Sequence, residues 1–204
     1  ENPEIIMEAV EVLRQKEQQA AIQSDFELVK NYKTAIFDDG YSFVGGNLNG
    51  DITLVEFIDY KCGYCKKAHG EVEKLLSTDG NIRFIIKEFP ILGEDSLKMS
   101  KFALAVKIAH GDKAYKVVHD ILIKMKAAPS TKAFDRIINN LNLDKKLVQD
   151  AMESPEVKGI IADTRNLAEK LKISGTPTFV MKDELIRGYV PFDALIELVA
   201  NKRG

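Results

Sequence analysis

The chain has 204 residues, 45% of them hydrophobic, enough to bury an ordinary core without metals or structural disulfides. Its 29 basic residues against 31 acidic ones give a formal charge of -2 with no long run of either sign, which argues against nucleic acid or anionic lipid as a partner. No apolar run approaches the roughly 20 residues of a membrane-spanning helix, so a soluble chain is expected.

Residue 1 is Glu, with neither a charged n-region nor an apolar h-region before it, and the sequence reads as a mature or trimmed form. Asn2 as N-cap, Pro3 at the first helical position and Glu4 near the positive end of the dipole predict a helix start. Some 30 Gly-free residues follow, in which Ile6, Ala9, Leu13, Ala20 and Phe26 make a narrow apolar stripe broken at Lys16. Two readings stand: a helix lying on its own domain, or a self-association helix over residues 1–32 that makes a dimer or trimer.

Residues 38–50 hold four glycines and several turn formers, and a short edge strand is expected at Phe43 and Val44. Ile52 to Ile58, β-branched and aromatic, reads as a buried strand. Helical spacing then runs from Cys65 to Leu76 through Ala68, Val72 and Leu75. After a turn at Asp79-Gly80-Asn81, a strand from Ile82 to Phe89 ends at Pro90 and closes a β-α-β unit. Residues 95–172 read as four or five helices, broken at His110-Gly111, at Ala128-Pro129-Ser130, at Asn142 to Asp144, and at Ser154-Pro155. A strand from Thr178 to Met181, a second from Leu185 to Gly188 and a helix from about Pro191 to Ala200 complete the chain.

Both cysteines lie in Cys62-Gly63-Tyr64-Cys65, too close together to staple distant segments. At the first turn of a helix, free N–H groups and the dipole favour the thiolate that attacks disulfides, which assigns that part to Cys62. Cys65, one turn in, is the resolving thiol, since two intervening residues let it attack a mixed disulfide on Cys62 intramolecularly. A zinc site is the competing reading, because His69 completes a Cys-x2-Cys-x3-His string, but His110 and His119 lie in the helical region. Glu56, on a strand that otherwise reads as buried, is either a solvent-facing edge residue or a buried acid relaying protons to Cys65, with Lys87 as a possible counter-charge.

Glu56-Phe57-Ile58-Asp59-Tyr60-Lys61-Cys62-Gly63-Tyr64-Cys65-Lys66, Lys87-Glu88-Phe89-Pro90-Ile91-Leu92-Gly93 and Gly175-Thr176-Pro177-Thr178-Phe179 resemble, in order, the three signature segments of the DsbA-like thiol-disulfide oxidoreductases. The resemblance runs from about residue 40 to the C-terminus. It implies an α/β, thioredoxin-like fold with an inserted α-helical domain, to which this chain adds an N-terminal helix. The corresponding organisation is 1–37 for an oligomerisation segment and linker, 38–94 with 173–204 for the catalytic domain, and 95–172 for the insertion.

The resemblance also implies a cis bond at Pro177 facing the cysteines, backbone of Thr176 presented to substrate beside Gly63 and Tyr64, and an acid at the position of Glu56. No cofactor is called for. The partners implied are cysteine-containing protein substrates and a membrane redox partner, in the periplasm. Gly63-Tyr64 between the cysteines, Thr176 before the proline and the extra helix resemble the oligomeric, isomerase-type members related to the suppressor of copper sensitivity protein C. An oligomeric disulfide isomerase is therefore the leading expectation. The rivals are a monomeric DsbA-type oxidase, a copper- or zinc-handling protein using Cys62, Cys65 and His69, and a redox-dead binding protein.

Overall fold

A computed structural model describes residues 3–204, with side chains described from residue 7. Asn2, expected as an N-cap, and the side chains of Pro3, Glu4 and Ile6 lie outside the described residues.

The sheet is built around β2 (Ile52–Ile58), which runs parallel to β3 (Ile82–Glu88) and antiparallel to β4 (Thr178–Met181). β1 (Phe43–Gly46) pairs antiparallel with β3, and β5 (Glu184–Arg187) with β4, giving the order β1-β3-β2-β4-β5. Parallel pairing of β2 with β3 requires a crossover, and α3 (Gly63–Asp79) supplies it.

Side chains of a strand alternate between faces. Leu54 and Ile58 of β2 and Phe84 and Ile86 of β3 bury one face against Cys65, Ala68, Val72 and Leu75 of α3 and Leu195 of α8 (Phe192–Arg203). Val55, Phe57 and Ile85 bury the other face against Val29, Ile36, Leu167 and Ala168. This two-faced burial explains why β2 reads as a continuous apolar run.

Between β3 and β4 stand the inserted helices α4 (Glu94–Lys124), α5 (Thr131–Asn140), α6 (Lys145–Met152) and α7 (Pro155–Lys170). The side chains of Ser130, Asp144 and Ser154 each accept an N–H three residues on, which caps α5, α6 and α7. The break expected at His110-Gly111 is a kink within α4, where Gly111 alone takes φ 82 and ψ -179.

The N-terminal helix α1 (Pro3–Asn31) divides into two parts. Residues 7–23 are exposed throughout, whereas Val29 is buried and the Asp25 carboxylate accepts from both terminal nitrogens of Arg187 at 2.5 and 2.9 Å. The reading of a helix lying on its own domain therefore holds only for its last turns. A short helix absent from the sequence reading, α2 (Lys33–Phe37), places Ile36 in the core. Among the described residues, no helix is long and apolar enough to cross a membrane.

Candidate active site

The C-terminal end of β2 delivers the chain to Cys62, which is the N-cap of α3 in an extended conformation. Asp59 shapes the turn before it. Its carboxylate accepts from the backbone N–H of Lys61, Ile91 and Leu92 and from the Ser96 hydroxyl, while its carbonyl accepts from the N–H of Cys62. Asp59 thus ties the cysteine turn to the loop after β3, a positioning part the sequence reading missed. An acid directly after a buried strand and just before the cysteine pair was the available signal.

Cys62 is 7% exposed and Cys65 1%. The Cys65 N–H points at Cys62 Sγ from 3.4 Å, and Cys62 Sγ lies 3.1 Å from the Thr176 carbonyl oxygen, to which its thiol donates. The Cys62 thiol is pulled down to about 5, chiefly because the Cys65 thiol donates to its thiolate; Thr176 and the N–H groups of Cys65 and Tyr64 add to this, against burial. Cys65 is pushed far up, first because its proton is held in that bond, then by burial and by the charge of Glu56. The two sulfurs are therefore unequal in the direction their positions on α3 predict.

Thr176-Pro177 is a cis peptide bond, and its loop lies across the cysteines from α3. Gly63 and Tyr64 sit in the first turn of α3. A Cβ at Gly63 would meet open space, so packing does not demand that glycine. Tyr64 is 65% exposed, with its ring 6.5 Å from that of Tyr189. Tyr189 in turn carries Lys67 Nζ 4.1 Å above its ring and donates to Glu71, so an aromatic and charged surface adjoins Cys62.

Glu56 is 4% exposed, not an edge residue. It pairs with Ile86 on one side and Phe179 on the other, and shares the parity of Leu54 and Ile58, so its side chain is on the α3 face beneath the cysteines. Burial, then the charges of Cys62 and Glu73, push its carboxyl up to about 8.

The counter-charge expected from Lys87 is a correction. Lys87 stands opposite Phe57 in the register and therefore faces the other side of the sheet. There its ammonium donates to the Ala35 carbonyl at 2.8 Å and to the Asp39 carboxylate, fixing the entry loop instead of the site. Among the described residues Glu56 makes no salt bridge. His69, read as a possible third ligand with the cysteines, is grouped with His119 and Asp120 instead.

Comparison with known proteins agrees with this geometry. A family model described as a DSBA-like thioredoxin domain matches residues 53–200. A thioredoxin-like oxidoreductase from Silicibacter pomeroyi DSS-3 is 38% identical, with a TM-score of 0.77 over 84% of this chain and 97% of that one. The thiol-disulfide exchange protein alpha-DsbA2 from Wolbachia pipientis is 30% identical, with a TM-score of 0.82 over 89% and 97%. Proteus mirabilis ScsC in a compact conformation is 27% identical, with a TM-score of 0.77 over 100% and 92%. The chain spans about a quarter of the length of the curated relatives it first matches, two Na(+)/H(+) antiporters of Salinispora species that are 25% and 26% identical to it.

Proposed function

The chain belongs to the DsbA-like thioredoxin domain family, and from that premise we propose that this thiol-disulfide oxidoreductase works as an oligomeric protein disulfide isomerase on cysteine-containing proteins of the periplasm. The observation that carries the chemistry is the unequal placing of the two sulfurs: Cys62 caps α3 with the Cys65 N–H 3.4 Å from its Sγ, which favours a thiolate, whereas Cys65 is buried one turn in.

In the reduced protein the Cys62 thiolate attacks a substrate disulfide, forms a mixed disulfide and releases the other substrate sulfur as a thiolate. That thiolate attacks a second substrate disulfide, and the last substrate thiolate formed displaces Cys62, so the bonds are shuffled without net transfer of electrons. When shuffling stalls, Cys65 attacks the Cys62 sulfur. The substrate leaves with its bond reduced by two electrons, and the Cys62–Cys65 disulfide forms. Cys65 must lose its proton for this, and Glu56 in its carboxylate form is the buried base that takes it, directly or through one water; its proton affinity lies near neutrality, and the mixed disulfide removes the Cys62 charge that helps to keep it protonated. Thr176 and Pro177 present backbone to the substrate, and Gly63 and Tyr64 border its path. A membrane redox partner then returns the pair to the dithiol.

The oligomer is supported by α1. Met7, Val10, Leu13, Ile22 and Phe26 are all exposed along a helix whose residues 7–23 touch nothing that buries them. Helices are marginal in water without packing, and a second copy of this helix supplies the cover that these exposed apolar side chains lack. The test is deletion of residues 1–22, which spares Asp25 and Val29. The expected product is a folded monomer by light scattering that keeps dithiol reductase activity and loses most reactivation of scrambled ribonuclease. An unchanged number of protomers after deletion, or an intact chain that is already monomeric, refutes the oligomeric reading and favours a monomeric DsbA-type oxidase, whereas full isomerase activity in the monomer refutes the dependence of shuffling on assembly.

A further inference from the structure

We propose that His69, His119 and Asp120 form a binding site for a borderline divalent transition cation of the zinc class, clamping α3 to α4. The site does not depend on the isomerase reading. His69 lies on α3, one turn past Cys65, and His119 and Asp120 lie in the second half of α4, so the three meet where the catalytic helix packs on the insertion. Each offers one ligand atom, and the three atoms lie within 4.8 Å of one another.

Three features point to a ligand rather than to ordinary packing. His69 is 8% exposed, yet its Nε2 is buried without a hydrogen-bond partner; Asp120 Oδ1 is 3.4 Å away without hydrogen-bond geometry. Leaving a buried polar atom unpaired is costly. That 3.4 Å separation also matches the edge of a tetrahedral site, about 3.3 Å when the bonds to metal are ~2.0–2.1 Å. Drawing in the remaining atoms requires a shift of no more than roughly an ångström and a half.

The surroundings of His119 favour the same reading. The Tyr60 hydroxyl donates to Glu88 at 2.7 Å, so the phenol oxygen accepts from His119 Nδ1 at 3.1 Å. That bond fixes the tautomer and leaves the His119 Nε2 lone pair free, as a hydrogen-bonded partner does for ligating histidines. Burial keeps both imidazoles neutral, the form that binds metal. Lys116 sits against Asp120, donating to both carboxylate oxygens at 2.8 Å, and also pairs with Glu73 at 3.1 Å. When one Asp120 oxygen turns to the cation, Lys116 keeps the other and Glu73; Lys124 is the remaining cation that both histidines sense. Two nitrogens and a carboxylate, with a fourth position open to water, suit zinc or copper(II) rather than calcium or magnesium.

The test uses the full chain in its oxidised form, in which Cys62 and Cys65 are joined and offer no thiolate. Titration calorimetry with zinc chloride should give one ion per chain, and saturating zinc, about 100-fold above its Kd, should raise Tm by about 5–10 °C. His69→Gln, with folding confirmed by circular dichroism, should lose the binding at least 10-fold and lose the Tm shift, and Asp120→Asn should weaken both. Cobalt(II) in the oxidised protein should show visible d–d bands without the thiolate charge-transfer band. Absence of binding by the oxidised protein, binding seen only after reduction of the cysteines, or undiminished binding in folded His69→Gln overturns the site.

Discussion

The depressed Cys62 thiol makes the relative stability of the two redox forms depend on pH. A group whose folded pKa lies below its unfolded value stabilises the fold at high pH and loses that contribution as pH falls through the folded value. With Cys62 moved from 9.0 to about 5, the contribution at pH 7 is about 3 kcal/mol, and by pH 4 it is nearly gone. The oxidised form has no thiol to titrate and lacks it at both pH values. Glu56 acts with the opposite sign, because its raised pKa penalises the fold as pH rises from about 4.5 towards 8. It is present in both redox forms, and its burial acts in both, but the Cys62 charge that helps to raise it exists only in the reduced one, so the difference between them reads the thiolate together with its coupling to Glu56. Urea denaturation of reduced and oxidised protein at pH 7 and pH 4 should show the reduced form losing about 3 kcal/mol relative to the oxidised one. The same stabilisation makes the pair ~60 mV more oxidising at pH 7 than one with an ordinary thiol. A redox difference in stability that stays constant, or moves the other way, would falsify the dipole- and hydrogen-bond-stabilised thiolate.

Glu56→Gln should stabilise the protein by up to about 3 kcal/mol at pH 7, with the gain vanishing near pH 4, as read by urea titration. It should also slow resolution of a glutathione mixed disulfide by Cys65 by about 10²-fold; equal rates would remove Glu56 from the proton path. Thr176→Val should shift the Cys62 thiolate absorbance titration to higher pH, since the Thr176 side chain helps to hold that pKa down; an unmoved midpoint contradicts that contact. Asp39→Ala should cost about 3–5 kcal/mol by leaving the Lys87 charge buried and unpaired, whereas the double variant Asp39→Leu, Lys87→Met should recover most of it. A mild effect of the single variant would mean that Lys87 finds water instead.

The strands around the cysteines were legible because buried β-segments announce themselves by β-branched and aromatic runs between glycine-rich turns, and the breaks between the inserted helices because Gly, Pro, Asn and Asp mark them. Cys62 and Cys65 were legible because their chemistry is local: one helix start and one turn of spacing. What escaped depends on which face of the sheet a residue takes. Lys87 looked like a partner for Glu56 because both sit on neighbouring strands, and only the register, Phe57 against Lys87, sets them on opposite faces. Asp39, its true partner, is an acid in a turn-rich linker with no local mark of burial. The meeting of His69 with His119, 50 positions apart on α3 and α4, is likewise a product of tertiary packing. The end of α1 shows the same limit, since nothing in its pattern separates the docked Val29 from the exposed turns before it.

The assignment of roles to the two sulfurs is tested most directly by incubating Cys65→Ser with a disulfide-bonded protein and weighing the products by intact mass spectrometry without reductant. A covalent adduct of enzyme and substrate linked through Cys62, which accumulates because the resolving thiol is gone, is the predicted result. An adduct formed instead by Cys62→Ser, or no adduct with either variant, contradicts the account.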